Sequence, residues 1–234
     1  MAAVRRELAR GGSSEQRIVT AYLVVQVVLL LLMKVGEAFS LGCFINVSMY
    51  VSVVTGTAVA LYFFSRYGNR PGNAHANIIV AGLVATALAD LLLTFIDTEW
   101  ARLPGFALFC VTQAIYGVYL GLSPRALIAR ACTAVVLIVL MGIAGNLTFA
   151  NAIGLINISL VLCNAVQAWI GRNADVSLLF KIGITLFFLC DASIAVRTLT
   201  SGTVHVVVAF LVWAFYVPAQ TLITMSYVRS VRPD

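Results

Sequence analysis

Apolar residues run along this chain in long unbroken stretches, with polar residues gathered between them. Eight stretches can be marked, near residues 17–33, 43–64, 77–96, 105–122, 127–144, 148–170, 177–197 and 204–227. Most come close to the roughly 20 residues a helix needs to cross a bilayer. A transmembrane strand would instead alternate lipid-facing and inward-facing residues. The pattern predicts an all-α integral membrane protein of about eight transmembrane helices. Turn-forming residues punctuate it: Tyr67-Gly68-Asn69-Arg70-Pro71-Gly72-Asn73, Leu122-Ser123-Pro124-Arg125 and Gly171-Arg172-Asn173. The weakest division is Gly145-Asn146, where a re-entrant pair is the alternative. Residues 1–16 and 229–234 read as cytoplasmic tails around a single eight-helix domain over 17–228.

Composition narrows the class further. Of 234 residues, 62% are apolar and 10% charged, against ~45–50% and ~25% in soluble domains. Eight spans take roughly 160 residues and leave about 74 for loops and tails, too few for a soluble domain of ordinary size. No phosphate-binding G-x-x-x-x-G-K-[ST] loop occurs. With the N-terminus inside, Lys34, Arg102 and Arg197 fall outside and the other twelve Lys and Arg fall inside. That asymmetry satisfies the positive-inside rule with both termini cytoplasmic. It also accounts for the net charge of +6 through topology and anionic lipid contact, without a nucleic-acid partner.

The basic start, first apolar run and Gly36-Glu37-Ala38 also have the outline of a signal peptide. Lys34 and Glu37 beside the supposed cleavage site argue against it. The five cysteines, each in or at the edge of a span, form neither a disulfide framework nor a metal spacing. His75 and His205 stand alone. No metal or cofactor is predicted.

In so apolar a chain the polar residues within spans can be weighed one by one. An ionisable side chain at mid-membrane costs about 2.5–3.5 kcal/mol on insertion scales. Asp90 in the third span and Asp191 in the seventh carry that cost; Asp97, Glu99 and Asp175 sit at span ends, where water explains them. The third and seventh spans run the same way, and their acids lie 13 and 14 residues from the span starts. Both therefore reach the outer half at nearly equal depth and can face one cavity.

The span after each acidic one carries a polar stripe. In the fourth these are Phe109, Gln113 and Tyr116; in the eighth, Trp213, Tyr216, Gln220, Ile223 and Tyr227. Asp90 precedes Tyr116 by 26 residues and Asp191 precedes Tyr216 by 25, which suggests a four-plus-four parallel internal repeat. Asn157, Asn164 and Gln167 share one face of the sixth span and either tie helices together or reach substrate. Arg130 and Lys181, one turn inside their spans, read as side chains snorkelling to the interface.

Three short stretches resemble the YhhN-type lysoplasmalogenase family. They are Ala81-Gly82-Leu83 with Ala89-Asp90-Leu91-Leu92-Leu93; Gly105-Phe106 with Val111-Thr112-Gln113-Ala114-Ile115-Tyr116; and Phe188-Leu189-Cys190-Asp191 with Tyr216-Val217-Pro218-Ala219-Gln220-Thr221-Leu222-Ile223 and Ser226. Both Asp, both Tyr and the Ala-Gln pair follow the family. Ala89 stands where it usually has Gly, Gln113 where it has His, and Cys190 where it has Ser. The resemblance implies a multi-span enzyme that hydrolyses the vinyl ether bond of lysoplasmalogens, with Asp90 and Asp191 catalytic. Gln113, Tyr116, Tyr216, Gln220, Asn157 and Asn164 would then hold the lysophospholipid or orient water.

The chemistry fits two carboxyls. Vinyl ether hydrolysis begins with proton delivery to the alkene carbon remote from oxygen, and water then adds to the oxocarbenium ion. An acid and an anion are both needed, the division of labour that paired carboxyls provide in glycoside hydrolysis. Pro218 predicts a kink in the eighth helix beside the site. Arg197 and Arg102 are candidates for the substrate phosphate, or simple interface anchors. Paired intramembrane acids in a repeat also describe a proton-coupled transporter, and Gln113 would suit a catalytically silent lipid-binding relative. Short loops suit a bacterial inner membrane.

Overall fold

The structure, a computed structural model, describes residues 2–39, 41–96, 99–143, 145, 148–171 and 176–232, the side chains of residues 2–13 and 99–101 excepted. Within these residues the chain forms eight helices: α1 (Ala2–Ala38), α2 (Gly42–Tyr67), α3 (Ala74–Phe95), α4 (Glu99–Tyr119), α5 (Pro124–Ile143), α6 (Phe149–Ile170), α7 (Leu178–Leu199) and α8 (Gly202–Val231). Seven are long and apolar enough to cross a membrane, the first of them over Ser14–Ala38. Among the described residues the exception is α4, which carries Arg102, Pro104 and a buried side with polar residues. Phe109, Thr112, Gln113, Tyr116 and Tyr119 are buried along one side, while Val111 and Val118 are exposed on the other. This is the helical period of an amphipathic segment with its polar side turned into the protein.

Each helix packs antiparallel to the next in sequence except at α4 and α5, whose backbones do not come together among the described residues. Instead α4 lies against α3 and α6, and the backbone of α5 packs on α6 alone, its Arg130 side chain reaching Gly117 of α4. The 20-residue α5 and 22-residue α6 pack on each other, with Thr133 beside Cys163 and Arg130 beside Asn164. They are full-length helices of about 30 Å or more, so the re-entrant alternative at Gly145 is set aside; Asn146 itself lies outside the described residues. The last helix, α8, packs on α1, α2, α3 and α7 and is the centre of the bundle. Its run is continuous through Pro218.

Burial follows the membrane rule of apolar outside and polar within. Along α5, Ile128, Val135, Val136, Val139, Leu140 and Ile143 are all exposed, whereas Arg130 is buried. Two glycines permit close helix approaches near the acids. A Cβ on Gly82 would sit 2.2 Å from the Tyr116 ring, and one on Gly183 would sit 2.8 Å from Ile223. Each glycine precedes an aspartate by eight residues, Asp90 and Asp191 respectively. The α3–α4 and α7–α8 hairpins thus share a small-residue contact at the same distance from an acid.

One end of the bundle is tied by a carboxylate the sequence pattern had placed in a tail. Buried Glu15 accepts the Tyr67 hydroxyl and pairs with Arg66 (3.2 Å) and Arg232 (3.6 Å), joining α1, α2 and the segment after α8. At the opposite end Lys34 meets Glu37 at 2.9 Å and the Phe210 carbonyl at 2.8 Å, joining α1 to α8. Asp97, Arg172 and Asp175 lie outside the described residues, as does the side chain of Glu99.

Candidate active site

Side chains from each of α2 to α8 line a cavity of about 270 Å³. Apolar side chains make most of its wall, among them Met49, Leu93, Phe106, Phe109, Ile158 and Val212. The neutral polar residues Asn46, Thr94, Asn151 and Thr198 also line it, and each lies within one or two turns of a helix end. Together they form a rim at the end of the bundle opposite Glu15. Deeper in are Asp90 and Asp191, 5% and 9% exposed. Asp191 is eight residues from the end of α7 and Asp90 five from the end of α3, about 12 Å and 7.5 Å below those helix ends at 1.5 Å per residue.

The two carboxyls share this cavity. Their hydrogen-bond partners differ. Asp90 accepts the Tyr216 hydroxyl through Oδ2. Asp191 accepts the Asn157 side-chain amide through Oδ2 at 2.7 Å. Tyr216 is braced by rings, with Phe187 at 5.7 Å and Trp213 at 6.4 Å between centroids, and Phe187 in turn meets Phe109 at 6.0 Å. Such edge-to-face packing holds the phenol against Asp90. Cys190, buried beside Asp191, also lines the cavity.

Of the other residues predicted for the site, Tyr216 and Asn157 line the cavity; Gln113, Tyr116, Asn164 and Gln220 do not. The Tyr116 ring covers Gly82 and meets Phe180 edge-on at 5.5 Å. Gln113 and Asn164 belong to a second polar cluster. Asn164 donates to the Gln113 backbone carbonyl (2.8 Å) and side-chain oxygen (3.1 Å). Gln220 is 2% exposed, and neither of its side-chain polar atoms has a partner among the described residues.

Arg130 corrects the expectation of a snorkelling side chain. It is 5% exposed and donates to Asn164 Oδ1 (2.6 Å), Gln167 Oε1 (2.7 Å) and the Ala126 carbonyl (3.0 Å). Gln167 also donates to the carbonyls of Leu120 (3.1 Å) and Gly121 (2.9 Å). The guanidinium turns inward because α6 presents two amide oxygens at its level, a feature visible only once α5 and α6 are paired. Arg197, at the rim end of α7, is held by His205 at 3.4 Å, and neither it nor Arg102 lines the cavity. Among the described residues no group of His, Cys, Asp and Glu has the arrangement of a metal site.

The arrangement offers an apolar slot for a chain, a neutral polar rim, and two carboxyls with unlike donors below it. Compared with models of known families, residues 47–227 match the YhhN family, and the chain belongs to that family. The match takes in every cavity-lining residue except Asn46 and leaves α1 outside. No curated protein sequence and no solved structure matches the chain.

Proposed function

We propose that this YhhN-family membrane protein is an intramembrane hydrolase that cleaves the vinyl ether bond of lysoplasmalogens. The substrates are lysoplasmenyl-ethanolamine or lysoplasmenyl-choline, and the products are a fatty aldehyde and the glycerophospho-alcohol. The observation that carries this reading is the meeting of Asp90 and Asp191 on one cavity, each with its own hydrogen-bond donor. Two acids placed where lipid surrounds the bundle are costly, and a reaction on a lipid gives that cost a return.

A single-chain lipid suits the shape. Its chain lies along the Phe106, Phe109 and Ile158 wall while its glycerol oxygens meet the neutral rim of Asn46, Thr94, Asn151 and Thr198. The vinyl ether then rests at the depth of the carboxyls. One carboxyl protonates the remote alkene carbon, and the other faces the oxocarbenium ion and the water that adds to it. Charge stabilisation inside a dry site is worth far more than in water. The hemiacetal then collapses to aldehyde and alcohol. Gln113, where the family typically has His, sits outside this cavity against Asn164, so that exchange leaves the cavity lining unchanged.

The test is aldehyde release. Purified protein in detergent is expected to liberate fatty aldehyde from lysoplasmenyl-ethanolamine. Absence of aldehyde from this and every related vinyl ether lysolipid overturns the reading, and proton flux in sealed liposomes would replace it with transport.

A further inference from the structure

The partners of the two carboxyls differ in what they can do with a proton. Asn157 Nδ2 only donates, so Asp191 Oδ2 is an acceptor whatever the protonation state of the carboxyl. The Tyr216 hydroxyl both donates and accepts, and by rotating it can follow Asp90 through loss and gain of a proton. A third feature lies on the Asp191 side. Asn157 is 5% exposed, lines the cavity, and its Oδ1 has no partner among the described residues. Buried polar atoms are nearly always satisfied, by water where protein does not serve. A water bringing two O–H groups needs two acceptors, and Asp191 with Asn157 Oδ1 supplies them.

We infer that the pair divides the hydrolysis: Asp90 with Tyr216 delivers the proton to carbon, while Asp191 and Asn157 bind and deprotonate the attacking water, Asn157 being a positioning residue. This rests on the hydrolase reading above. The protons balance over the cycle. Asp90 gives its proton to the alkene carbon, and the ether oxygen shares the positive charge. Water forms a bond to the oxocarbenium carbon as Asp191 takes its proton. Asp191 then returns that proton to the departing glycerol oxygen as the carbon–oxygen bond breaks. Asp90 removes the hemiacetal hydroxyl proton as the carbonyl forms, and both carboxyls return to their starting states. One water is consumed.

Deuterium exchange separates the two halves. Protonation of the alkene carbon is reversible if water addition is slow. Reversal in D₂O leaves deuterium in recovered substrate once the carbon–carbon bond, single in the oxocarbenium ion, has turned before Asp90 takes a proton back, so that the label marks the E alkene. Wild-type protein in D₂O is expected to release aldehyde and return lysoplasmenyl-ethanolamine without deuterium. Asn157→Leu and Asp191→Asn are expected to lose aldehyde release by about 10²-fold or more, the usual worth of a general base. Both should still place deuterium on the remote alkene carbon of recovered substrate, read by mass spectrometry. Asp90→Asn should show neither hydrolysis nor exchange. A merely structural role for Asn157 predicts loss of exchange and hydrolysis in parallel, and that result overturns the assignment. Unimpaired hydrolysis in Asn157→Leu overturns it too, as does exchange retained by Asp90→Asn and lost by Asp191→Asn. Should Asn157→Leu fail to give monodisperse protein, the two aspartate variants decide. If wild-type protein releases no aldehyde, the hydrolase reading falls and the division falls with it; if it does, only the division is at stake.

Discussion

Two clusters of buried polar side chains sit in this bundle, and they differ in what surrounds them. In the first, Asp90 and Asp191 each hold one side-chain donor, Tyr216 and Asn157, and face a cavity of about 270 Å³. In the second, Arg130 is enclosed by Asn164, Gln167 and the Ala126 carbonyl at 2.6–3.0 Å, and Asn164 is tied on to Gln113. None of its side chains lines the cavity. Both carry the expense of polar groups at membrane depth. The second returns it as geometry, fastening α5, whose backbone packs on α6 alone, and linking α6 to α4. The first leaves space beside its charges, and space is what a substrate requires. Burial of a polar residue alone does not mark function; the room next to it does.

The comparison breaks most decisively at the acids. Asp90→Asn and Asp191→Asn are each expected to lower aldehyde release by about 10³-fold, equivalent to about 4 kcal/mol of barrier, while the protein stays folded by gel filtration. Loss of folding in both would move these residues into the structural class. For the second cluster the expectation is the reverse. Arg130→Leu strands the Asn164 and Gln167 oxygens and should lower stability by about 3 kcal/mol, seen as a fall in thermal midpoint in detergent. The folded fraction should keep wild-type turnover, and Gln113→His should not raise it. A selective loss of turnover in Arg130→Leu would erase the distinction.

Smaller effects sharpen the picture. Gly82→Ala drives a methyl into the Tyr116 ring and should cost about 2 kcal/mol of stability. Gly154→Ala meets nothing within 4 Å on the cavity wall and should leave the thermal midpoint near wild type, while Gly154→Phe fills the slot and should raise KM. At the bottom of the scale, Lys34→Ala removes a half-buried ion pair with Glu37 and should cost less than about 1 kcal/mol.

Much of the fold was legible because the bilayer asks for one thing, a full-length apolar helix. The seventh stretch, read as 177–197, is α7 at Leu178–Leu199. The start of α1 was hidden because its first roughly four turns carry many polar residues, and Glu15 with it. The fourth stretch, read as 105–122, falls on α4 at Glu99–Tyr119, which starts six residues earlier and is not among the seven helices apolar enough to cross a membrane. At the site, Asp90 and Asp191 were singled out by insertion cost, which depends on sequence alone. Pairings were not legible. Chain spacing sets each acid beside the tyrosine helix that follows it, yet Asp90 takes Tyr216 of the other hairpin because α8 packs on α3. Arg130 was misplaced for the same reason. Its two acceptors belong to another helix, and only packing brings them to its level.

The central claim is that the reaction occurs between Asp90 and Asp191. Its most direct test is an experimental structure of the protein with a lysolipid whose vinyl ether is replaced by a saturated alkyl ether, a substrate shape that protonation cannot open. The account predicts density for the chain along the Phe106 and Phe109 wall, with the ether oxygen within hydrogen-bond reach of one carboxyl and the adjacent carbon facing the other. Lipid density confined to the outer surface of the bundle, with water alone between Asp90 and Asp191, would contradict it.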